Sequence, residues 1–213
     1  MKIEVKNLEK SFNKNVILKD VNLSFENGNI YGIVGRNGTG KTVLLKMICG
    51  YYKPTKGEIL FDNKKLGIDM KIPPSTRCLI ENPTFIPTLS GYDNLKLLAN
   101  IQKKIGKEEI ERTLKDVNLY SEKDKLFYKY SLGMKQKLGI AQVLMENPDV
   151  IILDEPFNAI EDESIDKIRN ILLAEKKKGK IIIFASHIKE DIELLADYIY
   201  EVKDAHINKK DID

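Results

Sequence analysis

Two kinds of hydrophobic pattern run through this chain. Ile3 to Val5 and Val21 to Phe25 alternate apolar and polar residues, the period of half-buried antiparallel strands. Ile30 to Val34, Val150 to Leu153 and Ile181 to Phe184 are short, nearly continuous apolar runs. Such runs fit strands covered on both faces, as in a parallel sheet packed between helices. Helical periodicity follows each of them, at Lys41 to Cys49, Glu163 to Lys177 and Lys189 to Ala196. Strand, loop and helix in repetition predict an α/β core of mostly parallel sheet, with the alternating strands as an antiparallel addition.

The middle of the chain follows another rule. Tyr92 to Gln102, Lys107 to Asn118 and Leu132 to Met145 all read as helices. Pro73-Pro74 and the segment from Pro83 to Pro87 punctuate the entrance, and Asn147-Pro148 marks the exit. We therefore expect one domain over 1–213, with a helical subdomain at roughly 83–146 inserted into the α/β core. Glu175 to Lys180 reads as a solvated helix end closed by Gly179. Asn208 to Asp213 reads as a frayed tail.

Charge and composition narrow the partners. Lys+Arg number 35 against 32 Asp+Glu, a net charge of +3, too balanced for the dominant basic face of a nucleic-acid binder. The residues after Met1-Lys2 lack the apolar core of a signal peptide. No run approaches the roughly 20 apolar residues that cross a bilayer. Cys49 and Cys78 are too few for a disulfide framework and lack metal-ligand spacing. Both sit among apolar residues and read as buried free thiols in a reducing cytosol.

The chemistry is concentrated in two places. Gly35-Arg36-Asn37-Gly38-Thr39-Gly40-Lys41-Thr42 fits G-x-x-x-x-G-K-[ST], after an expected strand and opening an expected helix. The glycines let successive backbone N–H groups point into one concavity that takes phosphate oxygens. The helix start adds its positive dipole end, and Val43 follows in its first turn. Lys41 can reach the β- and γ-phosphates of ATP, and the Thr42 hydroxyl can ligate Mg²⁺. The second place is Val150 to Glu155, an apolar strand that ends in two acids. Asp154 is placed to hold Mg²⁺ opposite Thr42, and Glu155 to polarise a water for attack on the γ-phosphate.

With both motifs in place, the sequence resembles the ATP-binding subunit of an ABC transporter over nearly its whole length. Tyr130-Ser131-Leu132-Gly133-Met134-Lys135-Gln136 is similar to the signature L-S-G-G-Q, with Ser131 and Gly133 retained. The resemblance implies an ABC ATPase fold and two chains facing head to tail. Ser131 and Gly133 would then meet the γ-phosphate held by the other chain. It places Phe12 where an aromatic ring stacks on adenine, and His187 where a switch histidine contacts the γ-phosphate. It also implies separate transmembrane permease subunits, with this chain peripheral at the cytoplasmic face of the membrane. The proline-bounded apolar loop Pro83-Thr84-Phe85-Ile86-Pro87-Thr88-Leu89 would form the groove for a coupling helix from the permease, or Phe85, Ile86 and Leu89 would pack under the helical subdomain, or both.

Two departures stand out. Glu81 occupies a position that usually holds Gln, and adds a negative charge near Asp154 and Glu155 while remaining able to ligate Mg²⁺. Glu161 replaces the Asp expected in Asn158-Ala159-Ile160-Glu161. Glu81 in its Ile80-Glu81-Asn82-Pro83 context and the Ser131 to Gln136 run look like the bacitracin-type and lantibiotic-immunity exporter branch. The expected function is therefore ATP hydrolysis powering export of a peptide antibiotic, bacteriocin or other small amphiphile. The alternatives are a soluble non-transport ABC ATPase and a regulatory nucleotide-binding module with weak hydrolysis. Repair-type ATPases would need sustained coiled-coil heptads between Lys41 and Asp154, and these are missing. A translation factor would normally hold two such domains in one chain. A small-molecule kinase would give no reason for Ser131-Leu132-Gly133 or His187.

Overall fold

The computed structural model describes residues 1–210. Two sheets carry the α/β architecture. The first is antiparallel, with β1 (Lys2–Phe12), β2 (Asn15–Glu26), β4 (Lys56–Phe61) and the short β5 (Lys64–Lys65) in the order β2-β1-β4-β5. The second has six strands: β3 (Asn29–Val34), β6 (Thr76–Leu79), β7 (Val150–Asp154), β8 (Ile181–Ser186), β9 (Tyr198–Lys203) and β10 (His206–Lys210). Its order is β10-β9-β3-β8-β7-β6, parallel throughout except for β10, which returns antiparallel on β9.

The apolar runs are strands because both their faces are covered. In β8, Ile182 and Phe184 enter one core, while Ile181, Ile183 and Ala185 enter the other. The first core lies under the helices α2 (Gly91–Gln102), α3 (Lys107–Asp116), α4 (Leu132–Leu144), α5 (Asp162–Lys177) and α6 (Lys189–Leu195). The second packs α1 (Lys41–Ile48) between the two sheets through Leu44, Leu45, Met47 and Ile48. α2, α3 and α4 all fall between β6 and β7 in the chain.

Several local expectations are corrected. Asn208 to Lys210 belong to β10, whose backbone pairs with β9; the rest of the expected frayed tail lies outside the described residues. Cys49 is buried but Cys78 is only half-buried, because β6 is an edge strand of its sheet. Gly179 does close α5 with φ +85. Lys180 is not solvated: it is buried, donates to Asn147 Oδ1 at 2.6 Å and pairs with Glu175. In the expected groove loop, Phe85 packs edge-on against Phe127 and Ile86 stays exposed. The buried Asn94 ties that loop to α2 through both its backbone N–H and C=O groups at Ile86.

Candidate active site

Parallel strands present their carboxyl ends on one edge, and loops there collect ligands. β3, β8, β7 and β6 are successive neighbours. Asp154 is the last residue of β7, and the segments after the four strands carry Gly35–Thr42, His187, Glu155 and Glu81. Residues more than a hundred positions apart thus meet because their strands adjoin.

At the glycine-rich loop, Gly40 caps α1 with φ 108, a conformation that only glycine adopts easily, and no side chain caps the first N–H groups. Those donors remain available to an anion. Lys41 is buried and donates through Nζ to Gly35 O at 2.7 Å and Arg36 O at 3.3 Å. The same Nζ stands 3.6 Å from Glu155 Oε1. Thr42 Oγ1 donates to Asp154 Oδ2 at 2.7 Å across 112 positions of sequence.

Asp154 is only 5% exposed, and burial holds its carboxyl above the usual range, opposed by the Thr42 bond. The neighbouring Glu155 charge adds to the rise. Asp154 Oδ1 is buried with no hydrogen-bond partner among the described residues. Glu155 leaves β7 with φ 49, a left-handed conformation rare for a residue with a side chain. Its carboxylate bridges Lys41 and His187: Oε2 lies 2.8 Å from His187 Nδ1 and accepts from the His187 backbone N–H at 3.3 Å.

These groups open onto a pocket of 440 Å³. Arg36, Asn37, Gly38, Gly40, Lys41, Thr42, Val43, Glu81, Asp154 and Glu155 line it. Gly35 and His187 line an adjoining pocket of 460 Å³, and Thr39 faces a third cavity beside Asp204. Phe12, Ser131 and Gly133 line none of these cavities. Phe12 ends β1 and stands edge-on to Tyr52, ring centroids 5.5 Å apart. Ser131 is exposed and caps α4, accepting from Met134 N–H at 3.2 Å. Gly133 packs so closely on the loop after β7 that a Cβ there would sit 2.3 Å from Ala159 O.

The motifs did not assign a role to Gln136, which also lines the 440 Å³ pocket. It is buried, and its Nε2 donates to Glu155 O at 3.0 Å and Pro156 O at 3.2 Å. It therefore pins the left-handed turn that aims the Glu155 side chain. Its signal was a polar residue on the buried side of an expected helix, where an amide needs partners.

The two departures are both paired within the chain. Glu81 does not crowd Asp154 and Glu155 into a three-carboxylate cluster; no group of three or more His, Cys, Asp or Glu converges among the described residues. Its Oε1 accepts from Lys46 Nζ at 2.6 Å, and its charge raises the Asp154 carboxyl less than burial or the Glu155 charge does. Glu161 accepts from Lys137 Nζ at 2.6 Å and Ser164 Oγ at 2.7 Å, bonds that hold its carboxyl down at about 2. The donor set fits a hard divalent ion: the Thr42 hydroxyl, Asp154 and its orphaned Oδ1 are oxygens of the kind that bind Mg²⁺ alongside phosphate.

Comparison with known proteins agrees with this geometry. The family described as ABC transporter matches residues 18–158. An uncharacterized ABC transporter ATP-binding protein of Bacillus subtilis (strain 168), YybJ, is 42% identical over 94% of this chain and 92% of its own length. The bacitracin transport ATP-binding protein BcrA of Enterococcus faecalis is 38% identical over 96% of this chain and 67% of its own. The lantibiotic transport ATP-binding protein SrtF of Streptococcus pyogenes is 35% identical over 92% and 85%. A solved ATP binding subunit of an ABC transporter superposes with a TM-score of 0.89 at 25% identity, over all of this chain and 91% of that one. The ATP-binding cassette MJ0796, solved as a dimer bound to ADP and Pi, shares the fold with a TM-score of 0.87 at 22% identity, over 99% of each chain. The glycine-rich loop, the paired acids and the two-sheet frame thus carry a likeness that spans the sequence, and the chain belongs to the ABC transporter family as an ATP-binding subunit.

Proposed function

We propose that this chain hydrolyses ATP at the 440 Å³ pocket and that separate membrane permease subunits use the energy to export a peptide antibiotic or similar amphiphile. One observation carries the hydrolytic reading: Lys41, Thr42, Asp154 and Glu155 converge on one pocket, with Thr42 and Asp154 in direct contact. In this reading the N–H groups of Gly38 to Lys41 and the Lys41 ammonium cradle the phosphates. Thr42 and Asp154 would hold Mg²⁺, which neutralises charge on the β- and γ-phosphates when bound. As the nucleotide enters, His187 and Lys41 exchange Glu155 for phosphate oxygens. Glu155, still aimed by the Gln136 bonds behind it, accepts the proton of the attacking water.

The position of Ser131 supports a composite site. It is exposed at the start of α4 and outside the pocket of its own chain, with α4 N–H groups beside it. A second copy, head to tail, would bring that helix start to the γ-phosphate. No helix of the described residues is long and apolar enough to cross a membrane, and in this reading separate permease chains cross it. The peptide-antibiotic cargo rests on likeness to the bacitracin and lantibiotic transport proteins.

Light scattering tests the composite site. The Glu155→Gln variant with Mg-ATP should pass from monomer to dimer. A variant that binds nucleotide yet stays monomeric at high concentration would contradict the head-to-tail arrangement.

A further inference from the structure

Glu81 stands where the resemblance leads one to expect an amide, and its carboxylate has a partner that no motif contains. Lys46 Nζ lies 2.6 Å from Glu81 Oε1. Lys46 follows Thr42 by one turn of α1, so the two side chains share a helix face. That face looks toward the ends of β6 and β7. From it Thr42 donates to Asp154 and Lys46 donates to Glu81.

The two members of the pair are unequally held. The Lys46 side chain is 17% exposed, and its Nζ sits 5.5 Å from the Tyr52 ring centroid, a cation–π contact that limits its rotamers. The Glu81 side chain is 64% exposed and its backbone is left-handed, φ 60. The cation is the fixed member and the carboxylate the movable one. Both Glu81 and Thr42 line the pocket, so Glu81 can leave Lys46 without leaving the site.

We propose that Lys46 is a positioning residue for Glu81. It neutralises the carboxylate this chain carries in place of an amide, and holds it off the magnesium position until a magnesium–nucleotide complex competes for it. The proposal rests on the ATPase reading above. Its logic is competition between two cations for one carboxylate. An unpaired Glu81 would add a full negative charge beside Asp154 and Glu155 and draw a divalent ion more tightly. Lys46 cancels that charge at rest, so Mg²⁺ must displace it.

The test uses the Glu155→Gln protein, in which bound nucleotide is not consumed, and a fluorescent ATP analogue titrated with Mg²⁺. Lys46→Met keeps the aliphatic stem on Tyr52 and removes the charge. It should lower the half-saturating Mg²⁺ concentration about two- to fivefold, the range an ion pair of partial exposure supports. With Glu81→Gln also present, Lys46→Met should change it by less than about 1.5-fold, since no carboxylate remains to release. Lys46→Arg should restore the original Mg²⁺ response. Thermal unfolding without nucleotide gives a second cycle, in which the double variant should be no less stable than the worse single one. A Mg²⁺ response unmoved by Lys46→Met, or moved equally with Gln at 81, would overturn this role for Lys46 and leave the ATPase reading intact. A parent protein whose nucleotide binding ignores Mg²⁺ would overturn both.

Discussion

Under the proposed ATPase reading, removing the Gln136 amide separates aiming the Glu155 carboxylate from merely building the fold. Gln136→Leu keeps the volume of the side chain but deletes the donor that holds Glu155 O at 3.0 Å and Pro156 O at 3.2 Å. Two neutral hydrogen bonds at about 1 kcal/mol each give a loss of about 2 kcal/mol. For a chain of this size that lowers the unfolding midpoint by about 4–8 °C. The larger effect should be on rate. Glu155 holds a left-handed backbone, φ 49, that the two bonds stabilise. Released, the turn relaxes and the carboxylate moves off the line of attack, and misplacement of about 1 Å costs about a hundredfold. Steady-state phosphate release should show kcat down about 10- to 100-fold with KM for ATP within about twofold. Gln136→Glu faces a carboxylate toward two carbonyl oxygens and should recover activity as pH falls, because its protonated form regains one donor. If Gln136→Leu lowered the midpoint but left kcat within about twofold, Gln136 would be a structural residue only and the aiming argument would fail.

Three further outcomes follow from the same geometry. Burial raises the carboxyl of Asp154, so this residue favours the fold below the ordinary Asp range and that contribution is lost as pH rises through the raised value. Asp154→Asn should therefore raise the nucleotide-free unfolding midpoint at pH 7, lose that gain below about pH 4, and abolish Mg²⁺-dependent nucleotide binding; calorimetry across pH checks it. Glu161 runs the other way: its carboxyl is held down at about 2, so its contribution is present above the ordinary Glu range and lost as pH falls toward 2. Its side chain is 55% exposed, which screens the pair with Lys137 to about 1 kcal/mol, and Glu161→Gln should be less stable at pH 7 with the difference closing as pH falls through about 2 in urea titrations. Gly133→Ala places a Cβ 2.3 Å from Ala159 O and should cost about 1–3 kcal/mol in urea titrations, because backbone rather than a flexible side chain must move.

Strands buried on both faces were readable because their apolar runs have no polar break, as in Ile181 to Phe184. The glycine-rich loop was readable because its chemistry is local, eight consecutive residues doing one task. Edge elements were not. β6 reads Thr-Arg-Cys-Leu, and as an edge strand it needs no apolar period. β10 has two lysines where an apolar period would be needed, yet its backbone pairs fully with β9. Within the site, the motifs located Lys41, Thr42, Asp154 and Glu155, whose meeting follows from strand order. They did not reveal Gln136 or Lys46. Each acts through another residue, across distances in sequence of 19 and 35, and no local pattern records such a partnership. The expectation that Glu81 adds a negative charge near the acidic pair followed from the resemblance at that one position, and the compensating Lys46 lies on a different element.

The central claim is that this pocket cleaves ATP. Phosphate release from Mg-ATP, measured for the parent chain and for Glu155→Gln with its membrane partner present, tests it most directly. The account predicts steady turnover by the parent chain and loss of turnover with nucleotide still bound in Glu155→Gln. Equal rates in the two proteins, or no release by either, would contradict it.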